Sequence, residues 1–245
     1  MTVREFIDRF FRVRKCGGCG EILAYEHCHD AFCPDCRLKW NRAKTETCPI
    51  CFQSAVECSC QPKYLSTTGV LTLRKLVFYS SKRESEPQNR IIYHIKKNPN
   101  HRYWVFLASE LKPLVEEELS VLGFFAPYEN VVLVSVPRGR RSKATYGFDQ
   151  SEQLCRFLGE AMRIPYANVL HRKFGGKEQK KLTQSQRQKN IRRMIDCKDG
   201  SAVRGKCVLL LDDVVTTGAS MSVCASILKK AGAKNVIALS LAQTP

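Results

Sequence analysis

Residues 208–220 read VLLLDDVVTTGAS: an apolar run, two adjacent acids, then a turn of small and hydroxylated residues. The run Val208–Leu211 is short, continuous and aliphatic, which predicts a strand buried on both faces. Behind the turn, ASMSVCASILKKAGAK has helical spacing and NVIALSLAQ reads as another buried strand. Strand, helix and strand in that order imply a right-handed crossover and a mostly parallel sheet. In open sheets of this kind ligands bind beyond the carboxyl ends of the strands, where Asp212 and Asp213 are expected to emerge. Neighbouring carboxylates repel one another, so they persist where hydroxyls, a divalent cation or nearby bases compensate; ribose hydroxyls fit that need. At the start of the following helix, unpaired N–H groups, the Thr216 and Thr217 hydroxyls and the positive helix end converge on one spot. Gly218 has no Cβ and lets the backbone approach a ligand closely. Any one of these residues also fits a plain strand end or helix cap. Taken as a string, Asp212 and Asp213 with Val215, Thr216, Thr217, Gly218, Ala219 and Ser220 make a cradle for one phosphate beside a sugar.

Upstream, ENVVLVSVPRGRR predicts a second buried strand followed by a basic turn, Arg138, Gly139, Arg140, Arg141 and Lys143. YGFDQSEQLCRFLGEAMRI then places Leu154, Phe157, Leu158 and Met162 on one helical stripe. RIIYHIKKN and WVFLASELKPLVEEELSVLGFF also follow helical spacing, with Pro113 predicting a kink or an early boundary. Residues 63–80 look extended, and the Thr67-Thr68-Gly69 there lacks a preceding strand and acid pair. Residues 1–15 show a short amphipathic helix pattern.

Of the 245 residues, 40 are Lys or Arg and 23 are Asp or Glu, a net charge of +17. Such a field favours polyanionic partners, a nucleic acid or a phosphorylated small molecule. Between His171 and Arg193 nine Lys or Arg face one Glu, with a Gly175-Gly176 hinge. Arg172, Lys173, Lys177, Lys180, Lys181 and Arg187 there fit a lid over a ligand or a nucleic-acid contact, and the sequence does not separate the two. No apolar run approaches the ~18 residues of a membrane span, so no membrane insertion and a cytoplasmic location are expected.

Nine of the thirteen cysteines fall before residue 61, mostly in close pairs, and hydrophobic residues there are too few for a conventional core. Zinc is the expected staple, bound by Cys16, Cys19, Cys33, Cys36, Cys48, Cys51, Cys58 and Cys60 as two closed structural sites. Sequential grouping and an interleaved one both satisfy the spacing, and Cys28 is a further candidate. Phe32, Trp40 and Phe52 interleave with Arg37, Lys39, Arg42 and Lys44, a mixture that holds single-stranded nucleic acid or, equally, packs around metal sites. Cys155, Cys197, Cys207 and Cys224 read as small core residues.

LLLDDVVTTGAS resembles the phosphoribosyl-diphosphate (PRPP) motif of the type I phosphoribosyltransferases. That resemblance implies an α/β fold, an open, mostly parallel sheet flanked by helices, with Mg²⁺ accompanying PRPP. The acids would hold the ribose hydroxyls and the turn the 5′-phosphate. VSVPRGRR with YGFDQSEQL, EQKKLTQSQRQKN through Gln179, Leu182, Arg187 and Asn190, and an N-terminal cysteine module resemble the ComF family of competence proteins. The implied organisation is a zinc-ribbon module over residues 1–62 and a phosphoribosyltransferase-like domain over 63–245. The implied function is binding of PRPP and single-stranded DNA in DNA uptake or handling during natural transformation, alongside other DNA-uptake proteins. The alternative is an active phosphoribosyltransferase with an unidentified acceptor; no catalytic residue can be named. Where that family usually has Arg-Gly-Phe-Asn-Gln, this chain has Tyr146, Gly147, Phe148, Asp149 and Gln150. One positive charge is lost there and one negative gained, which predicts weaker affinity or turnover if the segment holds pyrophosphate.

Overall fold

The computed structural model describes residues 14–97, 100–138, 147–173 and 194–245. The elements in chain order are α1 (Pro34–Lys44), α2 (Lys63–Ser66), β1 (Leu73–Phe78), α3 (Pro87–Lys97), α4 (His101–Val121), β2 (Val131–Ser135), α5 (Gln150–Met162), β3 (Leu170–Arg172), β4 (Ile195–Cys197), β5 (Cys207–Val215), α6 (Ala219–Lys230) and β6 (Asn235–Gln243). Four strands form one sheet in the order β1-β6-β5-β2, with every neighbouring pair parallel. β5 is central, so its aliphatic run is buried on both sides, as its composition requires.

Alternation along the strands divides the core. Leu209 and Leu211 of β5 pack with Val131 and Leu133 against α3, α4 and α5. Val208 and Leu210 pack with Val132 and Val134 against α6. Helices therefore cover both faces, the open α/β arrangement expected.

Residues Lys63–Ser66, in a stretch that looks extended, form the short helix α2, and two further differences from the sequence reading have clear causes. Pro113 lies inside α4, which continues to Val121. Leu111, Leu114 and Val115 around it are buried, and that packing outweighs the lost backbone bond. Within residues 16–60, a stretch expected to lack a conventional core, α1 forms with Pro34 in its first turn. It buries Cys36, Trp40 and Ala43, and these share the core cluster of α3, α4 and the sheet.

That junction is polar as well as apolar. Trp40 packs edge-on against Phe106 of α4 at 5.4 Å between centroids. Its indole N–H donates to Glu110 Oε2 at 2.9 Å. Arg37 and Lys44 reach the same carboxylate at 2.8 and 2.7 Å. On the edge strand β1, Arg74 pairs with Glu117 and Glu118 of α4, and the buried Lys75 Nζ donates to the Cys58 carbonyl at 2.6 Å. Among the described residues no helix is long and apolar enough to cross a membrane.

Candidate functional site

β5 runs on past the acid pair: Val214 and Val215 still pair with Ala242 and Gln243 of β6. Asp212 and Asp213 thus sit inside the last four residues of the strand rather than beyond it, and alternation sends them to different sides. Asp212 lines a cavity of about 210 Å³ together with Val214, Val215, Thr216, Thr217, Gly218, Ala219, Ser220 and Met221. The whole predicted turn is gathered there. Gly218 precedes α6 at φ 73°, and no side chain caps the helix start. The first N–H groups of α6 have no intrahelical acceptor by the geometry of any helix, so they are left to face the cavity. A Cβ on Gly218 would stand 3.3 Å from both Pro62 and Leu65, so α2 and the residue before it form the wall behind the turn.

Asp213 meets a different set of groups. Its Oδ2 pairs with the Arg138 guanidinium and lies 3.5 Å from Lys96 Nζ, at the end of α3. Ser151, in the first turn of α5, donates to Asp212 Oδ1 at 3.0 Å. Burial and the Asp213 charge beside it push the Asp212 carboxyl up to about 8. Burial also opposes ionisation of Asp213, but Lys96 and Arg138 outweigh it and hold that carboxyl below its ordinary value. The carboxyl end of β5 therefore has a helix start and turn on one flank and two cations on the other.

Asp149 does not face this cavity as a free charge. It caps α5, accepting from the N–H groups of Ser151 and Glu152 at 3.1 and 3.3 Å, and from Arg138 N at 3.3 Å. The added acid is absorbed by a helix start, where negative charge is favoured. Lys96 and Ser151 were invisible as site residues in the sequence. Lys96 is half of an ordinary Lys-Lys doublet, and Ser151 reads as a residue of a helix start.

Of the basic turn, Arg138 is described, whereas Gly139, Arg140, Arg141 and Lys143 lie outside the described residues, as does Tyr146. Of the basic segment, Arg172 and Lys173 are described at the end of the antiparallel β3–β4 ribbon, where Lys173 pairs with Asp196 at 2.7 Å. Lys177, Lys180, Lys181 and Arg187 fall outside the described residues.

The eight cysteines group sequentially: Cys16, Cys19, Cys33 and Cys36 in one cluster, and Cys48, Cys51, Cys58 and Cys60 in the other. Within each, the sulfurs lie within 4.8 Å of one another, and Cys28 is in neither. A tetrahedral ion with bonds of about 2.3 Å sets its sulfurs about 3.8 Å apart, and the Cys19 and Cys33 sulfurs are 3.8 Å apart. Backbone N–H groups point at the sulfurs, from Gly18 and Cys33 to Cys16 and from Ile50 to Cys48. Burial opposes ionisation at Cys16 and Cys48, yet these donors, with Cys51 N–H at Cys48, bring each thiol down to about 7. Both clusters can hold zinc.

Of the three aromatics noted for nucleic acid, Phe32 and Trp40 are buried against Phe106. Phe52 is 78% exposed. Lys39 and Arg42 are exposed on α1, whereas Arg37 and Lys44 are engaged by Glu110. A larger cavity, about 610 Å³, lies between the cysteine segment and α4, lined by His27, Arg37 and Phe106 among others; it shares no lining residue with the cavity at the turn.

Residues 124–245 match the model of the phosphoribosyl transferase domain. The chain is 25% identical over 223 residues to competence protein ComFC of Streptococcus pneumoniae (strain ATCC BAA-255 / R6), covering 90% of this chain and 91% of that one. Among solved structures it is similar to the allosteric regulatory enzyme of purine biosynthesis, with TM-score 0.33 and 24% identity over 46% of this chain. It is also similar to glutamine phosphoribosylpyrophosphate amidotransferase from B. subtilis, with TM-score 0.36 and 20% identity over 66% of this chain. The matches span 22% and 29% of those two proteins. Adenine phosphoribosyltransferase from Saccharomyces cerevisiae matches with TM-score 0.38 and 13% identity, covering 59% of this chain and 70% of that one. Residues 124–245 are thus a phosphoribosyl transferase domain built on an open parallel sheet, with two four-cysteine clusters ahead of it that fit a zinc ribbon, and over nearly its whole length the chain is similar to competence protein ComFC.

Proposed function

We propose that this protein binds PRPP, as its Mg²⁺ complex, at the carboxyl end of β5, and that it binds single-stranded DNA in the uptake or handling of DNA during natural transformation. The observation that carries the first half is the arrangement around the acid pair. An uncapped helix start with its turn, Thr216–Ser220, stands on one flank of β5, and Arg138 stands on the other. A ligand with a phosphate at one end, a pyrophosphate at the other and a pentose between them matches that order of charges. The 5′-phosphate goes to the N–H groups at the start of α6, where an anion is favoured by both hydrogen bonds and the helix dipole. Asp212 takes the ribose hydroxyls as their acceptor. Mg²⁺ offsets the charge of the pyrophosphate. Zinc at the two cysteine clusters is structural: each set of four thiols leaves no position for a substrate.

The DNA half rests on the net charge of +17, on Lys39 and Arg42 exposed along α1, and on Phe52 as an exposed aromatic ring. Charge of this kind attracts phosphates and an open ring offers a base a face to stack on.

Calorimetric titration of Mg²⁺–PRPP is expected to show saturable binding that the double substitution Asp212→Ala, Asp213→Ala abolishes; unchanged affinity in that variant removes the site assignment. Release of pyrophosphate during incubation with nucleobases, amines or DNA would mark the protein as a turning-over transferase, and binding without release marks a PRPP-responsive DNA-handling protein. Affinity for single-stranded DNA is expected to fall steeply with salt, linearly in the logarithms. A flat salt response contradicts phosphate contact as its basis.

A further inference from the structure

Two cations converge on Asp213, where one would neutralise it. The carboxylate Oδ2 pairs with Arg138 and stands 3.5 Å from Lys96 Nζ, while Oδ1 accepts Val214 N–H at 2.8 Å. Side-chain exposure rises from 7% at Asp213 to 18% at Arg138 and 28% at Lys96, so the ammonium is the most open of the three groups. Its backbone is anchored too: the Lys96 carbonyl accepts from Nε2 of Gln150, a buried residue at the start of α5, at 3.2 Å. Lys96 engages the same oxygen as Arg138, the first residue of the basic turn, on the flank of β5 away from the cavity formed by Thr216–Ser220. It also lies outside residues 124–245, the stretch that matches the transferase domain.

We propose that Lys96 is a ligand-binding residue whose ammonium takes the pyrophosphate end of PRPP, with Asp213 serving as the counter-ion that orients it. This rests on the PRPP reading of the site given above. An ammonium suits the task because it is a compact point charge on a flexible stem and can turn from a carboxylate to a nearby phosphate without a planar match. Asp213 then has a role distinct from that of Asp212: it sets out the cations on the pyrophosphate flank, while Asp212 remains the acceptor in the sugar cavity. The competing account is that Lys96 only neutralises Asp213, and the two make different demands on the ligand.

The test is calorimetry on the full chain with Mg²⁺, comparing PRPP with ribose 5-phosphate, which lacks the pyrophosphate. Lys96→Met is expected to weaken PRPP about tenfold or more, the scale of one charge-assisted hydrogen bond, and to leave ribose 5-phosphate within about twofold. Lys96→Arg is expected to restore most of the PRPP affinity. Equal weakening of both ligands, or unchanged PRPP affinity, overturns the proposal and leaves Lys96 as a partner of Asp213 alone. Far-ultraviolet circular dichroism accompanies both variants, and the Arg variant keeps the charge if the Met variant is misfolded. A wild-type protein that binds neither ligand overturns the site itself, a result seen before any substitution is made.

Discussion

At Asp212, burial and the adjacent Asp213 carboxylate both disfavour a second negative charge, and the hydrogen bond from Ser151 offsets them only in part. Its carboxyl is therefore raised in the folded chain to about 8 from an ordinary 3.8. A raised group stabilises the fold fully below its unfolded value, and that contribution is lost as pH rises through the folded one. The unliganded protein is thus expected to be less stable at about pH 9 than at about pH 6, and Asp212→Asn to flatten that decline, as read by urea denaturation at each pH. Equal pH dependence in the variant would contradict the assignment. The same residue predicts a proton event on binding. If ribose hydroxyls need the ionised form as acceptor, PRPP binding near neutral pH releases a proton, and the binding heat differs between two buffers of unlike ionisation enthalpy. Identical heats would show that the carboxyl keeps its proton in the complex.

The element that organises the site is the β5–turn–α6 unit, and Gly218 is its hinge point. At φ 73° a side chain is strained, and a Cβ would also press on Pro62 and Leu65 at 3.3 Å. Gly218→Val is expected to cost about 1–2 kcal/mol from backbone strain alone, with a lower Tm, and to move the turn enough to weaken PRPP binding. An unchanged Tm would mean that the turn relaxes freely. A second element contact, α1 on α4, depends on Glu110. Removing it leaves the buried Trp40 indole N–H without its acceptor and strips Arg37 and Lys44 of their shared partner. Glu110→Ala is accordingly expected to destabilise the chain by about 2–4 kcal/mol in chemical denaturation, more than an exposed ion pair is worth.

At the scale of the molecule, the cysteine segment and the sheet share one core. Cys16, Cys36 and Trp40 belong to the same hydrophobic cluster as Leu209, Leu211 and Leu239. The second cysteine cluster is tied to β1 through Lys75 and the Cys58 carbonyl, and the chain leaving Cys60 runs directly to the Pro62 and Leu65 wall behind Gly218. Loss of metal is expected to be felt well beyond residues 16–60. Chelation should lower the main melting transition of the whole chain rather than add a separate early one, as followed by calorimetry. An early transition that leaves the main one in place would show that the two parts are energetically independent.

The parallel α/β fold was readable from the sequence because a central strand must be aliphatic throughout, and the residues from Val214 to Ser220 line one cavity together because they are a contiguous string at a helix start. The cysteine clusters were readable for a related reason, since paired thiols two or three residues apart reach one ion whatever surrounds them. Their sequential pairing was not readable, because either grouping satisfies the local spacing. Nor was the persistence of α4 through Pro113, which depends on burial by distant partners. Tertiary structure alone separated Asp212 from Asp213, one lining the cavity and accepting a hydrogen bond from Ser151, the other held by Arg138 and Lys96. Adjacent residues in a strand look to opposite sides, and what each then meets comes from α3, α5 and the end of β2, segments far apart in the chain whose approach leaves no mark on the order of the amino acids.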